Sequence, residues 1–312
     1  MNDDVLQSVI GSELRRQPSP RLVEFAARLA ARAPGKVVAV LFYGSALRTG
    51  AEDGVLDYYV LLDDVRAWPA PWLAKFANRL LPPNVSYVED RIGDSTLRAK
   101  VAVMSLAQFE RGMLARSIDT TLWARFSQPC ACVFARPAGG EAAVTAALRQ
   151  ATVTAAQWAA WLGPARGHAL DYWRALYALT YGAELRVESA LRGPELIDGE
   201  STRYACLLPA AWQLLGIAFD ADADGMLQPR RDERDHLRAV RRWARRRRLG
   251  KLLNLMRLVK AAFTFEGAMD YVVWKVERHS GVRIQPGPWQ RRHPLLAAPW
   301  LYWRMRRQQL LR

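Results

Sequence analysis

The chain has 312 residues, 51% of them apolar, with a net charge of +15. That apolar content excludes a wholly disordered chain, and no apolar run approaches the roughly 18 residues of a membrane-crossing helix. Cys130, Cys132 and Cys206 are too few for a disulfide framework and suggest a reducing compartment.

The charge is uneven. Residues 230–312 hold 22 Lys and Arg against 6 Asp and Glu, whereas residues 1–229 hold 23 against 24. A near-neutral body with a basic C-terminal region points to an anionic partner, either nucleic acid or an anionic membrane surface. The acidic start Met1-Asn2-Asp3-Asp4, with no apolar block behind it, predicts no secretory leader.

Helical spacing of Leu22, Phe25 and Leu29 predicts a helix over Pro20 to Ala33, stopped by Pro34-Gly35. Val37 to Tyr43 (VVAVLFY) predicts a buried strand, and Leu56 to Leu62 (LDYYVLL) a second. A helix is expected over Trp68 to Leu81, a third strand over Lys100 to Ser105, a helix over Leu106 to Leu114, and a short strand within Pro129 to Ala135. From Gly140 the pattern turns helical, with helices over Glu141 to Leu162, His168 to Tyr181 and Arg203 to Leu215. The run Asp220 to Gly225 lacks the bidentate Glu of a calcium loop and reads as an acidic linker. Arginine-rich Arg230 to Lys260 follows, then a mixed aromatic helix over Ala261 to Arg278. The end of the chain packs Trp300, Tyr302 and Trp303 beside four arginines, the composition of a helix lying in a membrane interface. These changes of character divide the chain into residues 1–137, 138–228 and 229–312.

The stretch richest in chemistry runs from Val40 to Asp64. A buried strand ends in Gly44-Ser45, and twelve residues after Ser45 comes Asp57 on a second apolar strand. Nucleotidyl transfer needs this layout. The glycine lets backbone N–H groups approach a triphosphate, the serine hydroxyl adds a contact, and the aspartate holds Mg²⁺ against the phosphates. The common superfamily pattern is Gly-Ser followed by Asp-x-Asp, but here Tyr59 stands in the second acidic position. Asp63 shares the strand face with Asp57 yet lies roughly 20 Å along it, too far to share a metal. The four histidines show no metal spacing, and Cys130-Ala-Cys132 has no partner pair to complete a site.

Further blocks occur in order. Tyr43-Gly44-Ser45, Leu56-Asp57-Tyr58 and Val60 to Trp68 are followed by Asn84 to Tyr87, Lys100 to Ser105 (KVAVMS), Tyr181 to Arg186 (YGAELR) and Lys260 to Lys275. Together they resemble the Tam41-type phosphatidate cytidylyltransferases over about residues 38–280, with Ala46 in place of the second glycine of the turn. The resemblance implies a mixed α/β nucleotidyltransferase domain over 1–137, a helical or winged-helix-like middle domain over 138–228 and a basic membrane-docking region over 229–312. It implies that CTP and phosphatidate give CDP-diacylglycerol and pyrophosphate with Mg²⁺, in phospholipid biosynthesis. Carried over by position, Tyr43, Gly44, Ser45 and Arg186 would bind nucleotide, Asp57 and Glu184 would ligate metal, and Lys100 would offset phosphate charge. Taken on composition alone, Lys100 reads as an edge lysine, and Glu184 with Arg186 equally as a structural ion pair.

Arg245, Arg246, Arg247 and Arg248 with Trp300 and Trp303 are the expected membrane-docking residues. The enzyme would then be peripheral, on the cytoplasmic face of a bacterial inner membrane or the matrix side of a mitochondrial one. The basic region carries no RRM, KH or zinc-knuckle pattern, which disfavours RNA. The remaining alternatives are transfer to another lipid phosphate or to RNA, and a catalytically degenerate, membrane-bound adaptor of the same fold.

Overall fold

The computed structural model describes residues 2–183, 197–280, 287 and 289–290. A five-stranded mixed sheet is flanked by helices, followed by a helical layer and a long basic helix. The sheet is built from β1 (Val37–Tyr43), β2 (Val55–Leu62), β3 (Asn84–Ile92), β4 (Ser95–Ser105) and β5 (Ala131–Ala135), in spatial order β3-β4-β2-β1-β5. β2 and β4 run parallel, and the other pairs are antiparallel.

Side chains alternate across this sheet, and each face has its own apolar cluster. Val40, Phe42, Tyr58, Val60, Val101 and Val103 pack against α2 (Pro20–Ala30), which turns Leu22, Phe25, Ala26 and Leu29 inward. Proline at the first turn of α2 needs no N–H there. Leu41, Tyr59, Leu61, Ala102 and Met104 face the helices α1 (Asn2–Leu14), α5 (Leu106–Met113), α6 (Thr121–Phe126) and α7 (Gly140–Leu162). Ser105 and Gln108 close a capping box that starts α5 directly off β4.

α7 is the axis of the helical layer. Its alanines let α8 (Ala169–Ala183) and α9 (Ser201–Leu214) approach closely, and Trp158, Trp173 and Trp212 fill the space between. The same apolar cluster runs from Leu41 and Met104 on the sheet through Trp158 and Trp212 to Trp243. Among the described residues this cluster spans both expected boundaries, 137/138 and 228/229. Arg203 on α9, buried, donates to Glu13 of α1 at 2.5 and 3.2 Å and to the Ser127 carbonyl at 2.9 Å.

The structure corrects several expected elements. Asp220 to Gly225 is the tip of a small hairpin of β6 (Phe219–Ala221) and β7 (Leu227–Pro229). There Asp220 pairs with Arg230 and Asp222 with Arg166, so two of the three carboxylates of the run are neutralised locally. The helix expected from Trp68 is α4 (Trp72–Leu80), and Trp68 itself is buried in the core. The aromatic helix expected over Ala261 to Arg278 is two: α10 (Glu233–Thr264) ends and α11 (Ala268–Ser280) begins around Gly267, whose φ of 75° breaks the helix.

Candidate functional site

The site is assembled on one face of the sheet by strand register. Tyr43 on β1 pairs with Asp57 on β2, Asp57 with Lys100 on β4, and Lys100 with Tyr87 on β3. Four expected or resembling positions thus form one row, with side chains on the same face and strands about 4.8 Å apart. At the end of β1 the backbone turns through Gly44, with φ 94° and ψ −163°, into the short helix α3 (Ser45–Thr49). That combination is open essentially to glycine alone. A Cβ at Gly44 would also stand 2.8 Å from Asp57 Oδ2. The turn therefore lies directly against the Asp57 carboxylate, with Ser45 exposed beside it.

Lys100 is covered by α11. Its Nζ sits 4.6 Å from the centroid of the Tyr271 ring, a cation–π distance. Tyr271 in turn packs on Tyr87 and Trp274, and Arg98 and Arg278 lie over the Trp274 ring. Burial, and then the hydrogen bond to Glu89, push the Tyr87 phenol well above its ordinary pKa. α11 is held on the sheet at its start: Tyr87 N–H donates to the Glu266 carbonyl at 2.8 Å, and a Cβ on Gly267 would come within 2.6 Å of the Tyr87 carbonyl oxygen.

Tyr59, where the superfamily pattern has a second acid, is 2% exposed. Its ring packs against Tyr43, Phe109 and Phe126, and its hydroxyl accepts from Arg125 Nη1 at 3.3 Å. The Arg125 guanidinium also lies 5.2 Å from the centroid of the Tyr43 ring. Arg125 therefore reaches both the Asp57 row and the row behind it. Sequence reasoning missed it because α6 carries no motif. Its only signal was a cation flanked by Trp123 and Phe126, the mark of a guanidinium drawn into an aromatic cluster.

Behind Tyr59 lies a cavity of about 290 Å³, floored by Tyr59, Val85, Leu122 and Arg125 and walled on the α10 side by Leu258 and Ala261. Its other cations are committed to protein partners. Arg257 binds Asp119 at 2.5 Å and the Pro82 carbonyl at 3.0 Å. Burial pushes the Asp119 carboxyl up, but the charge and hydrogen bond of Arg257 outweigh it and hold the group below its usual range. Lys260 Nζ donates to the carbonyls of Leu81 and Pro83 at 2.6 and 2.5 Å, and burial followed by repulsion from Arg257 draws its pKa down to about 8.

Among the described residues no group of three or more His, Cys, Asp or Glu is placed to hold a metal ion. The row supplies one carboxylate, which does not make an all-protein metal centre. It does fit a Mg²⁺ that keeps its waters and shares a triphosphate. Glu184, the second expected ligand, and Arg186 lie outside the described residues, as do Trp300 and Trp303. Asp63 is bound to Arg136 at 2.6 Å, beyond the far end of β2. Of the arginine run, Arg245, Arg247 and Arg248 are exposed. Arg246 is not available for docking. It is buried over Trp158 and donates to the carbonyls of Ala115 and Ser117, and burial lowers its pKa to about 10.

No protein-family model matches the chain, and no curated protein matches it significantly. Among solved structures, the chain is similar to a nucleotidyltransferase-like protein from Exiguobacterium sibiricum, with 11% identity, 63% of this chain and 78% of that chain covered, and a TM-score of 0.28.

Proposed function

We propose that the chain is a nucleotidyltransferase that joins CTP and phosphatidate into CDP-diacylglycerol and releases pyrophosphate. The observation that carries the transferase reading is the Gly44 turn set against Asp57, in register with Lys100. A nucleotidyl site needs a backbone able to approach phosphates, an anion to hold their cation, and a cation beside both. In this reading an oxygen of the phosphomonoester attacks the α-phosphorus and pyrophosphate leaves. That oxygen is anionic near neutral pH, so alignment and charge neutralisation carry the rate and no strong base is needed.

Gly44 and Ser45 present the turn to the triphosphate, with Tyr43 beneath them. Asp57 would hold the Mg²⁺, which neutralises charge on the phosphates. Lys100, steered by the Tyr271 ring, and Arg125, between the row and the cavity, are the cations next to the reacting groups. Glu184 and Arg186 keep the roles that the family resemblance gives them. The lipid acceptor is supported by the resemblance, by the basic 230–312 region and by the largely apolar cavity one row behind Asp57. The choice of CTP rests on the resemblance.

The test is pyrophosphate release with Mg²⁺, each of the four nucleoside triphosphates and phosphatidate in anionic vesicles, beside Asp57→Ala. Turnover that needs CTP and phosphatidate and drops at least about a hundredfold in the variant is expected. No turnover with any nucleotide overturns the proposal. It would favour a second reading, a non-catalytic adaptor of the same fold, for which the buried Tyr59 in the acidic position speaks.

A further inference from the structure

Two neighbouring helices are amphipathic in the wrong direction for a soluble protein. In α4 the inward residues are Ala74 and Asn78, and Asn78 is buried with its amide donating to the Val103 carbonyl at 2.9 Å. The outward residues are Trp72, Leu73, Phe76 and Leu80, and Trp72 is 77% exposed. The C-terminal half of α10 repeats this inversion. Its cations Arg257 and Lys260 point inward to the carbonyls of Leu81, Pro82 and Pro83, the segment that leaves α4. Its apolar residues Leu252, Leu255, Met256, Val259 and Phe263 point outward, Phe263 at 73% exposure.

The outward residues of α10 fall on one stripe at helical spacing. It begins with exposed Arg241, Arg245 and Arg248 and continues, a turn later, as Leu252, Leu255, Met256, Val259 and Phe263. From Arg241 to Phe263, 22 rises of about 1.5 Å make it roughly 33 Å long. Residues 236–265 hold ten Lys and Arg and no Asp or Glu, and α4 adds Lys75 and Arg79, again with no acid. Scattered exposed apolar residues need no explanation, but two touching helices that hide polar groups to expose aromatic and aliphatic ones do.

We propose that the outward faces of α4 and α10 dock on an anionic lipid bilayer, the apolar residues entering the headgroup boundary and Arg241, Arg245 and Arg248 lying on the lipid phosphates. A bilayer matches this chemistry better than a protein surface does. It accepts large apolar side chains without shape complementarity, and a row of arginines at one end of the stripe meets opposite charge everywhere on it. The face lies partly outside the arginine run and the terminal tryptophans expected to dock. Leu258, 60% exposed, also walls the cavity behind Tyr59, so the docked face and the cavity adjoin. The choice of partner rests on the lipid-acceptor reading.

The experiment is flotation of the full chain with phosphatidylcholine vesicles, with and without phosphatidylglycerol and without nucleotide. The variants are Trp72→Ser/Phe76→Ser, Leu255→Ser/Val259→Ser and Arg241→Gln/Arg245→Gln/Arg248→Gln, with Val23→Ser on α2 as control. All of these side chains are exposed, and thermal unfolding checks that each variant is folded. Binding should require the anionic lipid. It should fall about fivefold per arginine removed and at least tenfold for each apolar pair, and stay unchanged for the control. Wild-type protein that does not float, or apolar variants that float as well as wild type, would overturn the proposal. So would apolar variants that change a dimer into a monomer by light scattering without altering flotation, because a second copy would then be the occupant. Turnover of a water-soluble short-chain phosphatidate, measured on the same variants, separates the two readings: it stays intact when only docking is lost.

Discussion

Gly44 shows how one residue can be constrained twice. Its φ and ψ exclude other residues, and Asp57 Oδ2 occupies the space a methyl group would need. Gly44→Ala should therefore cost about 1–3 kcal/mol of stability and displace the carboxylate. Chemical denaturation beside the pyrophosphate assay will show both effects, with turnover falling more than stability accounts for. Lys260 is constrained by burial, which draws its pKa from 10.5 to about 8. Below pH 8 both states hold the proton and the folded state bears the whole penalty of a buried charge. Between about 8 and 10.5 the unfolded chain holds more protons, so this group makes stability rise with pH. Wild-type stability minus that of Lys260→Met should therefore climb across that window, by about 1–3 kcal/mol, in urea titrations at stepped pH.

Element by element, legibility followed the period of burial. β1, α2 and α7 were readable because one pattern of apolar residues covers each from end to end. β3 was not. It is an edge strand whose Glu89, Asp90 and Arg91 look like a loop until Arg98 on β4 and Arg28 on α2 pair with them. α1 and α6 were missed because their apolar stripes are interrupted by polar residues and completed only by distant partners. For the site, the Gly-Ser turn and Asp57 were visible as a local motif. Arg125 and Tyr271 were not, because only the fold brings α6 and α11 over the sheet. The α1–α9 junction gives a prediction at this scale. Arg203→Met leaves Glu13 buried without its cation and should cost about 3–5 kcal/mol, read as a lowered denaturation midpoint, whereas Arg174→Met, in an exposed pair with Asp198, should cost under about 1 kcal/mol.

Across the whole molecule, the sheet and the helical layer share one apolar cluster. A fragment of residues 1–137 would lose α7, which packs on α1, α5, α6 and β1, and would uncover the apolar side chains beneath it. It should show no cooperative thermal transition, while the full chain unfolds in one. Separate transitions by calorimetry would contradict that expectation.

The pairing of Arg203 with Glu13, 190 residues apart, also bears on synthesis. α1 leaves the ribosome well before α9, which carries the guanidinium that neutralises its buried carboxylate. At about 5–20 residues per second the delay is roughly 10–40 s. Throughout it, the side of α1 that packs on α9 has no native cover. A nascent chain that stops short of α9 should therefore aggregate more readily than one that includes it.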